Sequence, residues 1–278
     1  MTINHYMDGR FPGRPSEPNE HTLKNLARIV PEVGADFGIA HDGDGDRTIF
    51  VDGKGRIVSG DRSFALLARE AVRVLGGGVV VTPVSTSQLL EDIVKPLEGR
   101  VEYTPVGSPV LSRAVEKAGA VLGGEENGGI IFPRWQLARD GAMTAAAMLD
   151  LLAQDGTTLA DQLEALPKYE TVKVKIACPP ERAVPLLTSV AEELSASARK
   201  VVTLDGWKIY LDGGWMLLRP SGTEPVVRVY AESRDRQKAQ HLVDMASASI
   251  RERLSDEPPA SHLRDQRASE PAGRLQPG

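Results

Sequence analysis

The chain has 278 residues, of which 41% are hydrophobic and 26% charged, the balance of a globular protein of about two domains. A formal net charge of −5 argues against a nucleic-acid-binding protein, which needs a basic stripe, although local arginines can still bind small anions. Cys178 is the only cysteine, and no apolar stretch has the length of a membrane span or a secretory signal, so we expect a cytoplasmic protein without disulfides.

Residues 1–76 are predicted to form a first, partial α/β unit. A short helix over 21–30 precedes a buried strand over 35–40, and residues 48–58 alternate as a hairpin around a tight turn. Asp61 is then expected to cap the helix that closes the unit.

Residues 77–160 are predicted to form a complete α/β unit. Strands and helices alternate there at the pace of βαβ units, which predicts a mostly parallel sheet between helices. The expected strands cover 79–82 and 101–104, and the expected helices cover 86–95, 108–117 and 141–153, the last beginning at Asp140.

Residues 165–253 are predicted to form an α+β unit with an antiparallel sheet and helices on one face. A connection over 155–168 leads into it, and the region from 254 to 278 has the composition of a disordered tail. The expected strands cover 170–176, 201–204, 208–211, 215–218 and 226–231, and the expected helices cover 181–195 and 235–253.

An acidic loop follows the first buried strand. Asp42, Asp44 and Asp46 alternate with glycines that let the backbone curl, so their carboxylates can converge on one hard cation. An EF-hand is excluded, because Arg47 stands where that loop needs glycine. We interpret the loop as a Mg²⁺ site beside a phosphate whose charge Arg47 shares; an acidic surface turn is the alternative.

Residues 219–225 (RPSGTEP) lie between two predicted strands. A glycine that exposes backbone amides, two hydroxyls and the planar guanidinium of Arg219 are the parts of a phosphate cradle, while an ordinary polar loop is the alternative. Residues 125–129 (EENGG) offer carboxylate and amide groups suited to sugar hydroxyls, although taken alone they equally fit a solvated turn.

The three motifs together resemble the α-D-phosphohexomutase family, the isomerases that include phosphoglucomutase, phosphomannomutase and phosphoglucosamine mutase. The resemblance covers residues 7 to about 252, and the EENGG loop resembles the archaeal-type branch. It implies an α/β fold in which a partial and then a complete mixed-sheet α/β/α domain precede a C-terminal α+β domain with an antiparallel sheet.

The resemblance also implies a role for each motif in moving a phosphoryl group on a hexose phosphate, with a hexose 1,6-bisphosphate as intermediate. Mg²⁺ would be held by Asp42, Asp44 and Asp46, and Arg47 would assist the phosphoserine or the transferring phosphate. Sugar hydroxyls would be held by Glu125 and Asn127, and the non-reacting phosphate by Arg219, Ser221, Gly222 and Thr223.

Two departures from the family pattern bear on activity. No segment like Thr-Ala-Ser-His-Asn-Pro, which carries the family's phosphoserine, occurs in the sequence, so we expect little or no turnover by this chain alone. Gly129 stands where many relatives have histidine. One alternative is half of a split mutase completed by a separate N-terminal chain, and another is a non-catalytic protein that binds sugar phosphates.

Overall fold

The computed structural model describes residues 1–256, which contain three β-sheets. The first sheet is a small antiparallel one. It consists of β1 (Phe37–His41), β2 (Thr48–Asp52) and β3 (Ile57–Val58), with Ala40 opposite Ile49. Helix α1 (Lys24–Glu32) packs on it. The predicted hairpin is confirmed, and the helix begins three residues later than predicted.

The second sheet lies between two layers of helices. Its strand order is β5-β4-β6-β7, with three parallel strands and an antiparallel β7. The predicted mixed-sheet α/β/α arrangement is confirmed, since valines of β4 alternate between a core with α4 and a core with α2, α3 and α5. The strands are β4 (Gly78–Pro83), β5 (Gly99–Thr104), β6 (Leu122–Gly124) and β7 (Ile130–Ile131); the helices are α2 (Gly60–Leu75), α3 (Leu89–Val94), α4 (Ser108–Ala118) and α5 (Gly141–Asp155).

Two local predictions in this part of the chain are wrong. Asp61 does not cap α2; its Oδ1 accepts the backbone N–H of Ser87 at 2.9 Å and so ties α2 to the loop after β4. The expected connection over 155–168 contains helix α6 (Leu159–Glu164), which begins with a capping box between Thr158 and Asp161.

The third sheet has five antiparallel strands in the order β8-β12-β11-β10-β9. Both of its helices pack on one face over a continuous apolar core, as predicted. The elements are β8 (Glu170–Ala177), α7 (Pro180–Leu194), β9 (Lys200–Val202), β10 (Trp207–Leu211), β11 (Gly214–Pro220), β12 (Val226–Ser233) and α8 (Arg236–Asp256).

Helix α8 covers residues 254–256, which corrects the expected start of the disordered tail; residues 257–278 of that tail lie outside the described residues. Over residues 1–256, no helix combines the length and the hydropathy needed to cross a bilayer.

The second face of the third sheet packs against the α/β/α unit. A small apolar cluster joins Trp215, Leu217 and Tyr230 to Val84, which follows β4. This contact joins the third sheet to the loop that follows β4.

A lysine is buried in this contact. Lys208 is 1% exposed, its Nζ donates to the carbonyl of Val84 at 2.8 Å, and the same atom lies 3.8 Å from the ring centroid of Trp215. Burial lowers the pKa of Lys208 to about 8, although nearby carboxylates led by Glu232 oppose the shift. The contact between the two units therefore contains a cation that is held by carbonyl and aromatic groups.

Candidate functional site

The acidic loop joins β1 to β2 and brings its carboxylates together. One oxygen from each of Asp42, Asp44 and Asp46 lies within 4.8 Å of the others. Asp42 is buried and Asp44 is exposed, so a cation from solvent can reach the cluster at its Asp44 side. The structure thus places the three predicted metal ligands in one group.

Arg47 holds the first of these carboxylates. Its Nε donates to Oδ2 of Asp42 at 2.6 Å, its backbone N–H donates to Oδ1 at 3.1 Å, and its two terminal nitrogens donate to Glu17 at 2.7 Å. Burial acts to raise the pKa of Asp42, but the amide and charge of Arg47 outweigh it and lower that pKa. The guanidinium predicted to face a phosphate is therefore shared by two carboxylates.

Arg139 holds the third carboxylate, and sequence reasoning missed it. Its Nε donates to Oδ2 of Asp46 at 2.8 Å, its Nη2 lies 2.5 Å from the same oxygen, and its Nη1 donates to Oε2 of Glu125 at 2.7 Å. Oδ1 of Asp46 is buried and has no hydrogen-bond partner. Burial raises the pKa of Asp46 against the pull of Arg139.

This donor set fits a magnesium ion. Mg²⁺ prefers carboxylate oxygens and neutralises like charges that are costly to hold close together. An oxygen that is buried without a partner, Oδ1 of Asp46, costs free energy unless a ligand or proton reaches it.

The sugar loop, residues 125–129 between β6 and β7, lies directly beside the acidic loop. Thr48 N–H donates to the carbonyl of Gly128 at 3.0 Å, and Arg47 and Gly129 form a β-bridge. The Asn127 side chain accepts the N–H of Gly129 at 3.0 Å and so braces the turn. Two of the three predicted motifs are therefore brought together by backbone hydrogen bonds.

Glu126 connects the sugar loop to the third sheet. Its Oε2 lies 2.5 Å from Nζ of Lys173 on β8. Burial alone would lower the pKa of Lys173, but the charge of Glu126 overturns this effect and raises it. On the same face of the sheet, one row further along the strands, Lys175, Arg228 and Arg219 lie opposite one another.

Two arginines lie where the loop over residues 219–225 meets its flanking strands. Arg219 and Arg228 face each other across β11 and β12, and the Nε of each is buried without a hydrogen-bond partner. Nη2 of Arg219 lies 3.1 Å from Oδ2 of Asp205, and Nη2 of Arg228 lies 2.7 Å from Oε2 of Glu224. Like charges in direct cross-strand register are destabilising, so an anion bound here would relieve them.

The predicted loop residues lie above these arginines. The hydroxyl of Ser221 accepts the N–H of Glu224 at 3.3 Å and lies 3.4 Å from Arg228, while Gly222 and Thr223 are exposed. Ser221 thus braces a turn in which Gly222 and Thr223 are accessible to solvent. Arg228 was missed, although its register opposite Arg219 follows from the strand alternation.

Comparison with known proteins decides the family. Three domain models described as phosphoglucomutase/phosphomannomutase match in order: alpha/beta/alpha domain II over residues 1–55, alpha/beta/alpha domain III over 59–169 and the C-terminal domain over 171–249. The chain belongs to the phosphohexomutase family. The domain III model takes in α2, which the sequence analysis had placed in the first unit.

Phosphohexomutases of archaea are among the similar sequences. A phosphoglucomutase/phosphomannomutase of Thermococcus kodakarensis is 42% identical over 91% of this chain and 56% of its own length. A phosphoglucosamine/phosphogalactosamine mutase of Sulfurisphaera tokodaii is 41% identical over 87% of this chain and 54% of its own. The chain therefore spans about half the length of the curated relatives it matches.

Solved phosphohexomutase structures share the fold. A family protein of Burkholderia thailandensis aligns with a TM-score of 0.81 and 26% identity over 91% of this chain and 54% of its own. The Aspergillus fumigatus N-acetylphosphoglucosamine mutase, solved with GlcNAc-6P and magnesium, aligns with a TM-score of 0.57 and 21% identity over 82% of this chain and 52% of its own.

Proposed function

We propose that this chain supplies the metal-, sugar- and phosphate-binding parts of a mutase that interconverts hexose 1-phosphates and 6-phosphates through a hexose 1,6-bisphosphate. The observation that carries the proposal is the continuity of the three loops. Arg139 joins the acidic loop to the sugar loop, and the ion pair of Glu126 with Lys173 joins the sugar loop to the basic face of the third sheet.

The basic loop suits the phosphate that does not react. We assign it to Arg219, whose partly used guanidinium can donate in a planar fork, together with the hydroxyl and backbone groups of Ser221, Gly222 and Thr223. Glu125 and Asn127 are assigned to the sugar hydroxyls, and the contact of Glu125 with Arg139 uses only Oε2. These contacts fix the sugar with one phosphate at each end of the cleft.

The acidic loop suits the phosphate that is transferred. Asp42, Asp44 and Asp46 would hold Mg²⁺, which supplies charge neutralisation at a transferring phosphoryl group when it is bound. Arg47 is assigned to the same phosphoryl group, which would replace the half-exposed Glu17 carboxylate as its partner. Positioning and charge stabilisation supply most of the catalysis in phosphoryl transfer, and this chain carries groups for both.

The reacting serine is assigned to a domain outside these 278 residues, carried either on a longer form of the same polypeptide or on a second one. The test is a mutase assay of the 278-residue chain with Mg²⁺, a trace of glucose 1,6-bisphosphate, and the 1-phosphates of glucose, mannose and glucosamine. We expect no turnover until a phosphorylated serine domain from a relative is added. Turnover by the chain alone would overturn this assignment.

The same assay separates the mutase from a protein that only binds sugar phosphates. A mutase gains turnover when the serine domain is added, and loses it again in the Asp44→Asn variant. A binding protein retains affinity for hexose phosphates but shows no turnover in either mixture.

A further inference from the structure

The backbone at Arg139 is held in place by hydrogen bonds on both sides. It forms a β-bridge with Ile131, and the next residue, Asp140, donates its N–H to the carbonyl of Ile130 at 2.9 Å. Asp140 also caps α5, accepting the N–H of Met143 at 2.8 Å. The side chain of Arg139 therefore leaves a segment that is held by β7 on one side and by a helix on the other.

The guanidinium of Arg139 connects two loops that carry different parts of the proposed site. It binds Oδ2 of Asp46 through two nitrogens and Oε2 of Glu125 through the third. The exposed fractions of these side chains are 19%, 24% and 6%, so the three charges are largely withdrawn from water. Charge-assisted hydrogen bonds with little solvent around them hold side chains more firmly than exposed surface pairs do.

The path of Arg139 depends on glycine at position 129. A Cβ at Gly129 would lie 2.4 Å from Cδ of Arg139, closer than carbon atoms approach. The methylenes of Arg139 thus lie where a side chain at position 129 would begin. A larger residue there would displace the guanidinium from at least one of its two carboxylates.

Resting on the proposed function, we propose that Arg139 is a positioning residue for the metal site. It occupies Oδ2 of Asp46 and leaves Oδ1, which is buried without a hydrogen-bond partner and lies 3.8 Å from Nε of Arg47, available to a metal ion held by the three carboxylates. Through Glu125 it also fixes the sugar loop relative to this metal ligand. Groups that orient metal ligands from behind typically change metal affinity by about 10–100-fold when they are removed.

The experiment is calorimetric titration of Mn²⁺, which serves as a substitute for Mg²⁺, into the 278-residue chain. Arg139→Gln is expected to weaken Mn²⁺ binding at least about tenfold. Arg139→Lys keeps the charge but not the planar fork, and is expected to recover only part of the affinity. Arg134→Gln, which removes an exposed arginine from the same connection, should bind like the unmodified chain.

A double-mutant cycle with position 129 separates positioning from general damage to the fold. Gly129→Ala should weaken Mn²⁺ binding in the unmodified chain but should have little further effect in an Arg139→Ala background, because alanine lacks the Cγ and Cδ that the new methyl group would meet. Equal losses in both backgrounds would contradict a role through Arg139.

The outcomes distinguish this inference from the proposed function. If the unmodified chain binds Mn²⁺ and Arg139→Gln binds it equally or more tightly, the positioning role is overturned while the metal site stands. If the unmodified chain binds no Mn²⁺, both are overturned. Thermal unfolding in a chelator, measured for every variant, shows that the affinities compare folded proteins.

Discussion

The acidic loop and the basic loop of this member of the phosphohexomutase family differ in how like charges are arranged and paired. In the acidic loop, Asp42 accepts two hydrogen bonds from Arg47, and Asp46 accepts one from Arg139, whose Nη2 also lies 2.5 Å from Asp46. In the basic loop, Arg219 and Arg228 face each other and each retains a buried Nε without a partner. In the acidic loop, arginines hold two of the carboxylates in place. The basic loop retains N–H donors that an anion could accept from.

This difference separates what each loop contributes. Bracing lowers the cost of ordering the carboxylates when a cation arrives, so the acidic loop should respond to metal with little rearrangement. The basic loop gains most from a ligand that supplies the missing negative charge. The predictions below would break or sharpen this contrast, beginning with the largest expected effect.

Arg219→Ala should abolish most of the binding of hexose phosphates. Removing one partner of a desolvated, charge-assisted contact costs about 2–5 kcal/mol, so glucosamine 6-phosphate or glucose 6-phosphate should bind at least about 30-fold more weakly by calorimetry. Arg100→Ala, which removes an exposed arginine of β5, is the control. Unchanged affinity in Arg219→Ala would show that the phosphate binds elsewhere.

Asp44→Asn should weaken metal binding by the acidic loop without lowering the stability of the metal-free protein. Asp44 is exposed and belongs to a cluster of three carboxylates, so its neutralisation relieves repulsion when no cation is bound. In saturating Mg²⁺ we expect the variant to lose about 1–2 kcal/mol of the stabilisation that metal gives the unmodified chain. Urea unfolding with and without Mg²⁺ measures this; equal stabilisation in both proteins would exclude Asp44 as a ligand.

Lys208→Met tests the contact between the third sheet and the α/β/α unit. Because burial lowers the pKa of Lys208 to about 8, the folded chain loses this proton before the unfolded chain does. Stability should therefore rise with pH between about 8 and about 10.4, by up to about 1–2 kcal/mol near pH 9.5.

The variant should lose this rise, whereas Lys24→Met on the exposed side of α1 should keep it. The measurement is urea unfolding from pH 7.5 to 9.5. Above this range the raised pKa values of Tyr103 and Tyr210, caused mainly by burial, act in the opposite direction. Parallel profiles for Lys208→Met and the unmodified chain would contradict the burial of a titrating lysine at the contact.

Glu126→Gln should have the smallest effect. Its ion pair with Lys173 joins the sugar loop to the basic face but is partly exposed, so its loss should cost about 0.5–1 kcal/mol. We expect a few-fold weaker binding of hexose phosphates and no change in Mn²⁺ affinity. A larger effect on the metal than on the sugar phosphate would mean that Glu126 supports the acidic loop instead.

Much of the fold could be predicted because local patterns were strong. The alternation of the third sheet and the glycines of the acidic loop each predict a structure that the chain adopts. Helix α6 was missed because its apolar pattern is short, although the pairing of Thr158 with Asp161 is a helix-start signal. Asp61 has the right residue type for a cap, and only the distant amide of Ser87 explains its use.

The acidic and basic groups of the site could be predicted, but not the residues that connect them. Arg139 is 93 residues from Asp46, and no local period relates the two. Lys208 alternates with apolar neighbours as an outward-facing strand residue does, and lysine is seldom buried, so its burial against a second unit carries no local signal. Interactions between units depend on topology, which local patterns do not specify.

The most direct test of the whole account is calorimetric titration of glucose 1,6-bisphosphate into the unmodified chain, Arg219→Ala and Asp44→Asn. If the two loops form one cleft, the unmodified chain binds one bisphosphate, Mg²⁺ tightens that binding, Arg219→Ala weakens it with and without the ion, and Asp44→Asn loses only the tightening. Binding that neither substitution alters, or no binding at all, would contradict the cleft.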